Sequence, residues 1–160
     1  MRIAVSADEL VGIASALTAE LERRGHGVSS HGALAPRACG AGAGAPREAV
    51  EHEQWAWASE AAAREVAAGR AAQAVVCCWT GTGASIAANK VAGVRAALCA
   101  DAVTAAGARR WNDANVLALS LRSTSEAELA EILDAWFATP PSTAAEDRAN
   151  VAHLQEIERA

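Results

Sequence analysis

Short apolar runs alternate along this chain with longer stretches in which apolar positions recur at helical spacing. That alternation predicts βαβ units wound around a parallel sheet. Ile3–Ala7 reads as a first buried strand, followed by a helix over about Val11 to Arg24 that Gly25 stops. Gly27–His31 is a second strand, and a helix from about Glu53 to Ala68 ends at Gly69. Ala74–Cys78, the most apolar run, is a third strand that enters Trp79-Thr80-Gly81-Thr82-Gly83, with a helix over Ala84–Lys90 beyond it. Arg95–Ala100, a helix over Val103–Arg110, and Val116–Leu121 continue the pattern. Ser125–Phe137 is amphipathic, with Thr124 or Ser125 as its N-cap, and Pro140-Pro141 separates it from a final polar helix. The expected fold class is α/β: a three-layer, doubly wound (Rossmann-like), five-stranded parallel sheet with a C-terminal helical tail.

Residues 35–50 (APRACGAGAGAPREAV) are rich in Gly, Ala and Pro and read as a surface loop. The chain of 160 residues suits one domain, residues 1–160, and the 20 residues from Pro141 are too few to fold alone. No internal repeat is evident. In doubly wound sheets ligands sit at the carboxyl ends of strands, where the strand order reverses. Attention therefore falls on the segments after Ala7, after Cys78 and just before Val116.

Composition narrows the function classes. The hydrophobic fraction of 52% is largely alanine, with only 4% aromatic residues, which favours helices lying close to a sheet. A formal charge of −5 leaves no electrostatic footprint for nucleic acid or an anionic membrane, so neither is an expected partner. No apolar run approaches the roughly 20 residues of a membrane-spanning helix. Asp8 comes too early for a signal-peptide apolar core, so a cytoplasmic location is expected. Cys39, Cys77, Cys78 and Cys99 form no C-x-x-C, and the adjacent pair suits neither a zinc site nor a disulfide. Isolated thiols of this kind are mostly buried small hydrophobes. His26, His31, His52 and His153 lack metal-ligand spacing and read as solvated surface, so no metal is expected.

The sharpest local signal is Cys78-Trp-Thr-Gly-Thr-Gly-Ala-Ser85. Two glycines at a strand-to-helix junction let backbone N–H groups converge, and a helix N-terminus favours an anion there. A tight βα turn that binds nothing is the alternative. No G-K-[ST] follows, as a Walker loop needs, and the third glycine of a dinucleotide site is absent.

Together with these residues, Cys78–Lys90 (CWTGTGASIAANK), Val94–Cys99 (VRAALC) and Trp111–Ala118 (WNDANVLA) closely resemble the type B ribose-5-phosphate isomerase family, which includes galactose-6-phosphate isomerase subunits. Arg2–Asp8 resembles the family's first strand and Asp134-Ala135-Trp136 its late helix, so the likeness runs from Met1 to Phe137 apart from the 35–50 loop. The resemblance implies cofactor-free aldose–ketose isomerisation: a cysteine thiolate removes a proton beside the carbonyl, and the enediolate regains it at the neighbouring carbon. Cys78 occupies the base position, with Cys77 expected on the opposite face of the strand as core. A thiol pKa of about 8.5 falls near a helix N-terminus, which makes a thiolate available. The N–H groups of Thr80, Gly81, Thr82 and Gly83 are expected around the enediolate oxygen. Asn112 matches a ligand-binding asparagine, or else ends a helix; Asp113 and Asn115 match the pattern or simply set the turn. Asp8 matches a substrate-contacting acid, or else caps the next helix. Arg122 matches an arginine near the substrate anion, or is plain surface.

The departures bear on substrate. Asp8-Glu9 replaces the family's Asp-His, Trp79 stands for a glycine, and Trp111 stands for the histidine that donates a proton in ring opening. Indole N–H is a hydrogen-bond donor but no usable acid. Two tail arginines that clamp phosphate in the family reduce to Arg148 within Ala145-Glu146-Asp147-Arg148-Ala149-Asn150. Trp55 and Trp57 lie where the family places pocket-lining residues; an aromatic-walled site and four core tryptophans are the alternatives. The expected catalytic residues are Cys78, Thr80 and Glu9, the last only if burial raises its pKa. The expected substrate contacts are Asp8, Trp79, Gly81, Thr82, Gly83, Trp111, Asn112 and Arg122. The expected ligand is a sugar or sugar phosphate altered from ribose 5-phosphate, handled without cofactor by a homodimer or homotetramer whose tail packs on a neighbouring subunit. A non-catalytic ligand-binding or accessory subunit is the alternative, as is an epimerase on an unphosphorylated or aromatic-bearing sugar.

Overall fold

Five parallel strands, β1 (Arg2–Ala7), β2 (Gly27–Gly32), β3 (Gln73–Cys78), β4 (Ala96–Leu98) and β5 (Val116–Ser120), form one sheet in the order β2-β1-β3-β5-β4. They are read from a computed structural model that describes residues 1–36 and 51–159; residues 37–50, most of the predicted loop and Cys39 with it, lie outside the described residues. β1, β3 and β5 are near-continuous apolar runs because both faces of a parallel sheet are covered. The covering helices are α1 (Ala14–Arg23), α2 (Trp55–Ala67), α3 (Thr82–Ala88), α4 (Ala102–Asn112) and α5 (Glu126–Ala138), with α6 (Ala145–Ile157) as the tail.

Strand alternation sorts the core into two unlike halves. On one face Ile3, Val5, Leu117 and Leu119 meet Leu17 and Leu21 of α1, Ala105 of α4, and Leu129, Ile132 and Trp136 of α5. On the other, Ala4, Ala74, Val76 and Ala118 meet Ala62 and Ala63 of α2 and Ala84 and Ala88 of α3. Alanine on both sides of the second contact lets α2 and α3 approach the sheet closely, which is the three-layer architecture that the alternating pattern predicts.

Helix ends follow their chemistry. Ser125, rather than Thr124, caps α5, and Glu128 returns the bond to the Ser125 N–H at 2.7 Å to complete a capping box. The Asp101 carboxylate accepts from the Thr104 N–H at 2.7 Å and starts α4. β4 is shorter than predicted, three residues in place of Arg95–Ala100, its ladder to β5 running over Ala96–Leu98 alone. Side chains complete its beginning: Asn89 Oδ1 accepts the Ala96 N–H at 2.8 Å and Asn115 Oδ1 the Arg95 N–H at 2.8 Å. The tail helix α6 buries none of its residues. It is held at its two ends, where the Ser142 N–H donates to the Arg110 carbonyl at 2.7 Å and the Glu158 carboxylate accepts the Gly93 N–H at 3.0 Å. No described helix is long and apolar enough to cross a membrane.

Candidate active site

The strand order reverses between β1 and β3, and the register aligns Ala7 with Cys77. Asp8 and Cys78 thus stand at the carboxyl edge of the sheet, at the crevice where open α/β sheets take ligands. Cys77 points to the leucine-rich face and Cys78 to the alanine-rich one. The Cys78 thiol is 5% exposed, and its sulfur accepts the Ala84 N–H of α3 at 3.4 Å.

Several bonds hold the loop after Cys78. Its carbonyl accepts N–H groups from Gly81 (3.2 Å) and Leu121 (3.0 Å), and the Trp79 carbonyl accepts from Arg122 N–H (3.1 Å) and Ser120 Oγ (2.9 Å). Gly81 turns with φ +75°, and a Cβ there would meet Leu98 Cδ1 at 2.5 Å and the Leu119 carbonyl carbon at 2.9 Å, so only glycine fits. The Gly81 N–H is therefore engaged within the loop and does not join the expected donor set. The N–H groups of Thr80, Thr82 and Gly83 have no acceptor among the described residues and remain free for an anion. The Thr80 and Thr82 hydroxyls bond each other at 2.7 Å.

Loops from β1 and β5 close the same edge. Gly12 passes so near the Leu121 carbonyl that a Cβ would sit 2.2 Å from its oxygen, which brings the segment after Asp8 against the end of β5. Asp8 does not cap α1, whose N-cap is Ile13. Its Oδ1 is buried without a hydrogen-bond partner among the described residues, and burial holds its carboxyl above the usual range, reinforced by the neighbouring Glu9 charge. Glu9 itself is exposed, so the burial on which its role as an acid depends is not found in the single chain. Arg122 is exposed beside Trp79.

The tryptophans are not core, apart from Trp136. Trp79 is 51% exposed at the mouth, and the Trp55 ring lies on Gly83, where a Cβ would come within 2.9 Å of it. Trp57 faces a different cleft with His31, Glu60 and Arg64. His26 and His31 also depart from the solvated-surface reading: both are half-buried, and His26 packs on Phe137 with ring centroids 4.4 Å apart.

The segment before Val116 is a further correction. In a parallel sheet it lies at the amino edge, since Val116 is level with Ala74 while Cys78 is level with Ser120. Trp111 and Asn112, both exposed at the end of α4, are therefore not gathered around Cys78 in one chain. Asp113 and Asn115 set this turn. Asp113 takes φ +43° and binds Arg95 at 2.9 Å and Arg109 at 3.3 Å, while Asn115 Nδ2 donates to the Gly93 carbonyl at 2.9 Å. Among the described residues no cluster of His, Cys, Asp and Glu could hold a metal.

Against known proteins, the chain is 37% identical over 98 residues to the galactose-6-phosphate isomerase subunit LacB of Clostridium acetobutylicum, covering 61% of this chain and 57% of that protein. It is 47% identical over 72 residues to ribose-5-phosphate isomerase B of Escherichia coli, covering 44% of this chain and 48% of that protein. The chain thus spans about half the length of the curated relatives it matches. A solved type B ribose 5-phosphate isomerase of Trypanosoma brucei superposes over 98% of each chain with a TM-score of 0.82 and 31% identity. The model of one family, Ribose/Galactose Isomerase, matches residues 3–154, nearly the full length of what is described, and the chain belongs to that family.

Proposed function

We propose that this chain is a cofactor-free aldose–ketose isomerase in which Cys78 is the base. The observation that carries the reading is the Cys78 sulfur at the β1/β3 crevice, facing α3 and taking the Ala84 N–H. As a thiolate, Cys78 removes the proton from the carbon beside a carbonyl, and the electron pair moves onto the carbonyl oxygen as an enediolate. The free N–H groups of Thr80, Thr82 and Gly83 are suited to that oxygen. The same proton then returns to the neighbouring carbon, so nothing is oxidised or reduced overall. Asp8, whose burial favours the protonated carboxyl, is suited to donate to a sugar hydroxyl. Trp79 and Trp55 supply faces against which a sugar ring packs.

The active unit is a dimer. Asn112 and Trp111 lie at the opposite edge of the sheet from Cys78, so their contribution to one site requires a second copy, against which α6, none of whose residues is buried in the single chain, also packs. A substrate other than ribose 5-phosphate is supported by Trp111, since an indole cannot replace a ring-opening acid worth roughly 10²–10⁴-fold. The same residue favours a second reading, a non-catalytic accessory subunit.

The test is entry of solvent deuterium at the carbon beside the carbonyl across a panel of sugars and sugar phosphates. Exchange that disappears in Cys78→Ser supports the isomerase; absence of exchange with every compound favours the accessory subunit. Sedimentation as a monomer at micromolar concentration would remove the shared site.

A further inference from the structure

The Trp79 carbonyl is held by two donors at once, both from the end of β5 and the turn beyond it. The Ser120 hydroxyl donates to it at 2.9 Å and the Arg122 N–H at 3.1 Å. Ser120 is the last residue of β5, buried and level with Cys78 on the neighbouring strand. Alternation along β5 puts its side chain on the alanine-rich face, as it does that of Cys78 along β3. A hydroxyl has one proton to give. Here that proton goes to the Trp79 oxygen, while Ser120 Oγ accepts the Ser123 N–H at 3.2 Å. Ser120 therefore donates nothing to the Cys78 sulfur. It joins the turn after β5 to the loop after β3 through a single carbonyl of that loop.

In a planar trans peptide the carbonyl oxygen and the next N–H point in opposite directions. No described peptide is cis. Drawing the Trp79 oxygen toward the turn after β5 thus directs the Thr80 N–H away from that turn, and the Thr80 N–H is one of the three left free at this edge. Half a rotation of the same peptide would spend the donor on the turn. It would also put a carbonyl oxygen in the donor's place, an acceptor that repels an enediolate. The Thr80 side chain does not prevent this, since its hydroxyl bonds Thr82 within the same loop.

We infer that Ser120 is a positioning residue: its hydroxyl fixes the peptide between Trp79 and Thr80 so that the Thr80 N–H stays available to an anion. The anchoring stands on this geometry alone, and its effect on turnover rests on the isomerase reading.

Amide hydrogen exchange followed by NMR reads the anchoring. In Ser120→Ala the Arg122 N–H, whose acceptor is the Trp79 oxygen, should exchange at least about tenfold faster, while that of Val76 inside β3 keeps its rate. Ser120→Thr keeps the hydroxyl and Ser123→Ala keeps the backbone N–H, so both should leave the Arg122 rate within a few-fold. Deuterium entry into whichever sugar of the panel exchanges reads the reaction. There Ser120→Ala should lower kcat about tenfold or more, toward the roughly 10²–10³-fold of an oxyanion donor lost outright, with KM within a few-fold. Ser120→Thr should restore most of that loss. Iodoacetamide labelling of Cys78 should be unchanged in Ser120→Ala, because the hydroxyl proton is not on its sulfur. An Arg122 rate that stays put, or rises only together with that of Val76, overturns the inference. So does a wild-type kcat despite a freed amide, or an altered Cys78 labelling rate. Absence of deuterium entry with every compound in the wild-type protein removes the isomerase reading, and the amide rates alone then decide whether Ser120 holds the peptide.

Discussion

Cys77 and Cys78 are the same residue one position apart, and the sheet gives them unrelated surroundings. Cys77 is fully buried among leucines, isoleucines and valines, and that burial pushes its thiol far above the ordinary range. Cys78 faces the alanine side, where a helix N–H reaches its sulfur and the loop beyond it opens to solvent. Thiol reactivity here is thus a matter of strand parity. The side chain level with the reversal of strand order is the one placed for the proposed chemistry, and its neighbour fills space.

The largest effect that tests this contrast is on turnover. Cys78→Ser should lower kcat by at least about 10²-fold, the lower bound for removing a positioned base. Cys77→Ser should leave kcat within a few-fold and instead cost about 1–3 kcal/mol of stability, since its hydroxyl enters an apolar layer unpaired. Equal loss of kcat in both variants, at equal stability, would end the division between the two faces. Next in size is alkylation: mass mapping after brief iodoacetamide treatment should find Cys78 labelled at least about tenfold faster than Cys77 or Cys99. Burial raises the Cys99 thiol to about 11, and that of Cys77 further. Labelling of Cys99 ahead of Cys78 would contradict the ordering.

The smallest effect concerns pH and the leucine-rich side alone. Both ring nitrogens of His26 are buried without a hydrogen-bond partner among the described residues, and burial, with the N-terminal ammonium and Arg24, holds its pKa below 6.5. The unfolded chain therefore takes up the proton first. The stability this gives is present above about pH 6.5 and is lost as pH falls from there through the folded-state value. His31 acts in the same direction. The melting temperature should fall between about pH 7 and 5.5, and less steeply in His26→Phe, which keeps a ring against Phe137. An unchanged slope in that variant would assign the effect elsewhere.

Much of this was legible in the residues. Apolar runs marked β1, β3 and β5 because a doubly covered strand has no polar face, and Ser125 with Glu128 announced the start of α5. The glycines after Cys78 marked the turn, though not which N–H it keeps for itself; that depends on the Cys78 carbonyl, which has no signature in sequence. Asp113-Ala114-Asn115 resembles a ligand-binding motif but binds Arg95, Arg109 and Gly93, contacts set by the packing of β4 and α4. Adjacent Arg109 and Arg110 are indistinguishable as letters, and only the helix azimuth sends one under Trp136 and the other to the tail. A partly buried His26 follows from Phe137, more than a hundred residues away in sequence.

Ala84 is fully buried in the alanine layer, and its backbone N–H is the group that meets the Cys78 sulfur. Packing and the proposed base therefore share one atom pair in this molecule. A methylene added anywhere between α3 and the sheet, at Ala62, Ala84 or Ala118, lifts the helix and draws the donor from the sulfur. Selection for a tighter or looser core on that side would register first as a change in the thiol, before any loss of fold. Engineers seeking thermostability reach the proposed base least through the leucines of α1 and α5, whereas on the alanine side every repacking is also an experiment on the candidate site.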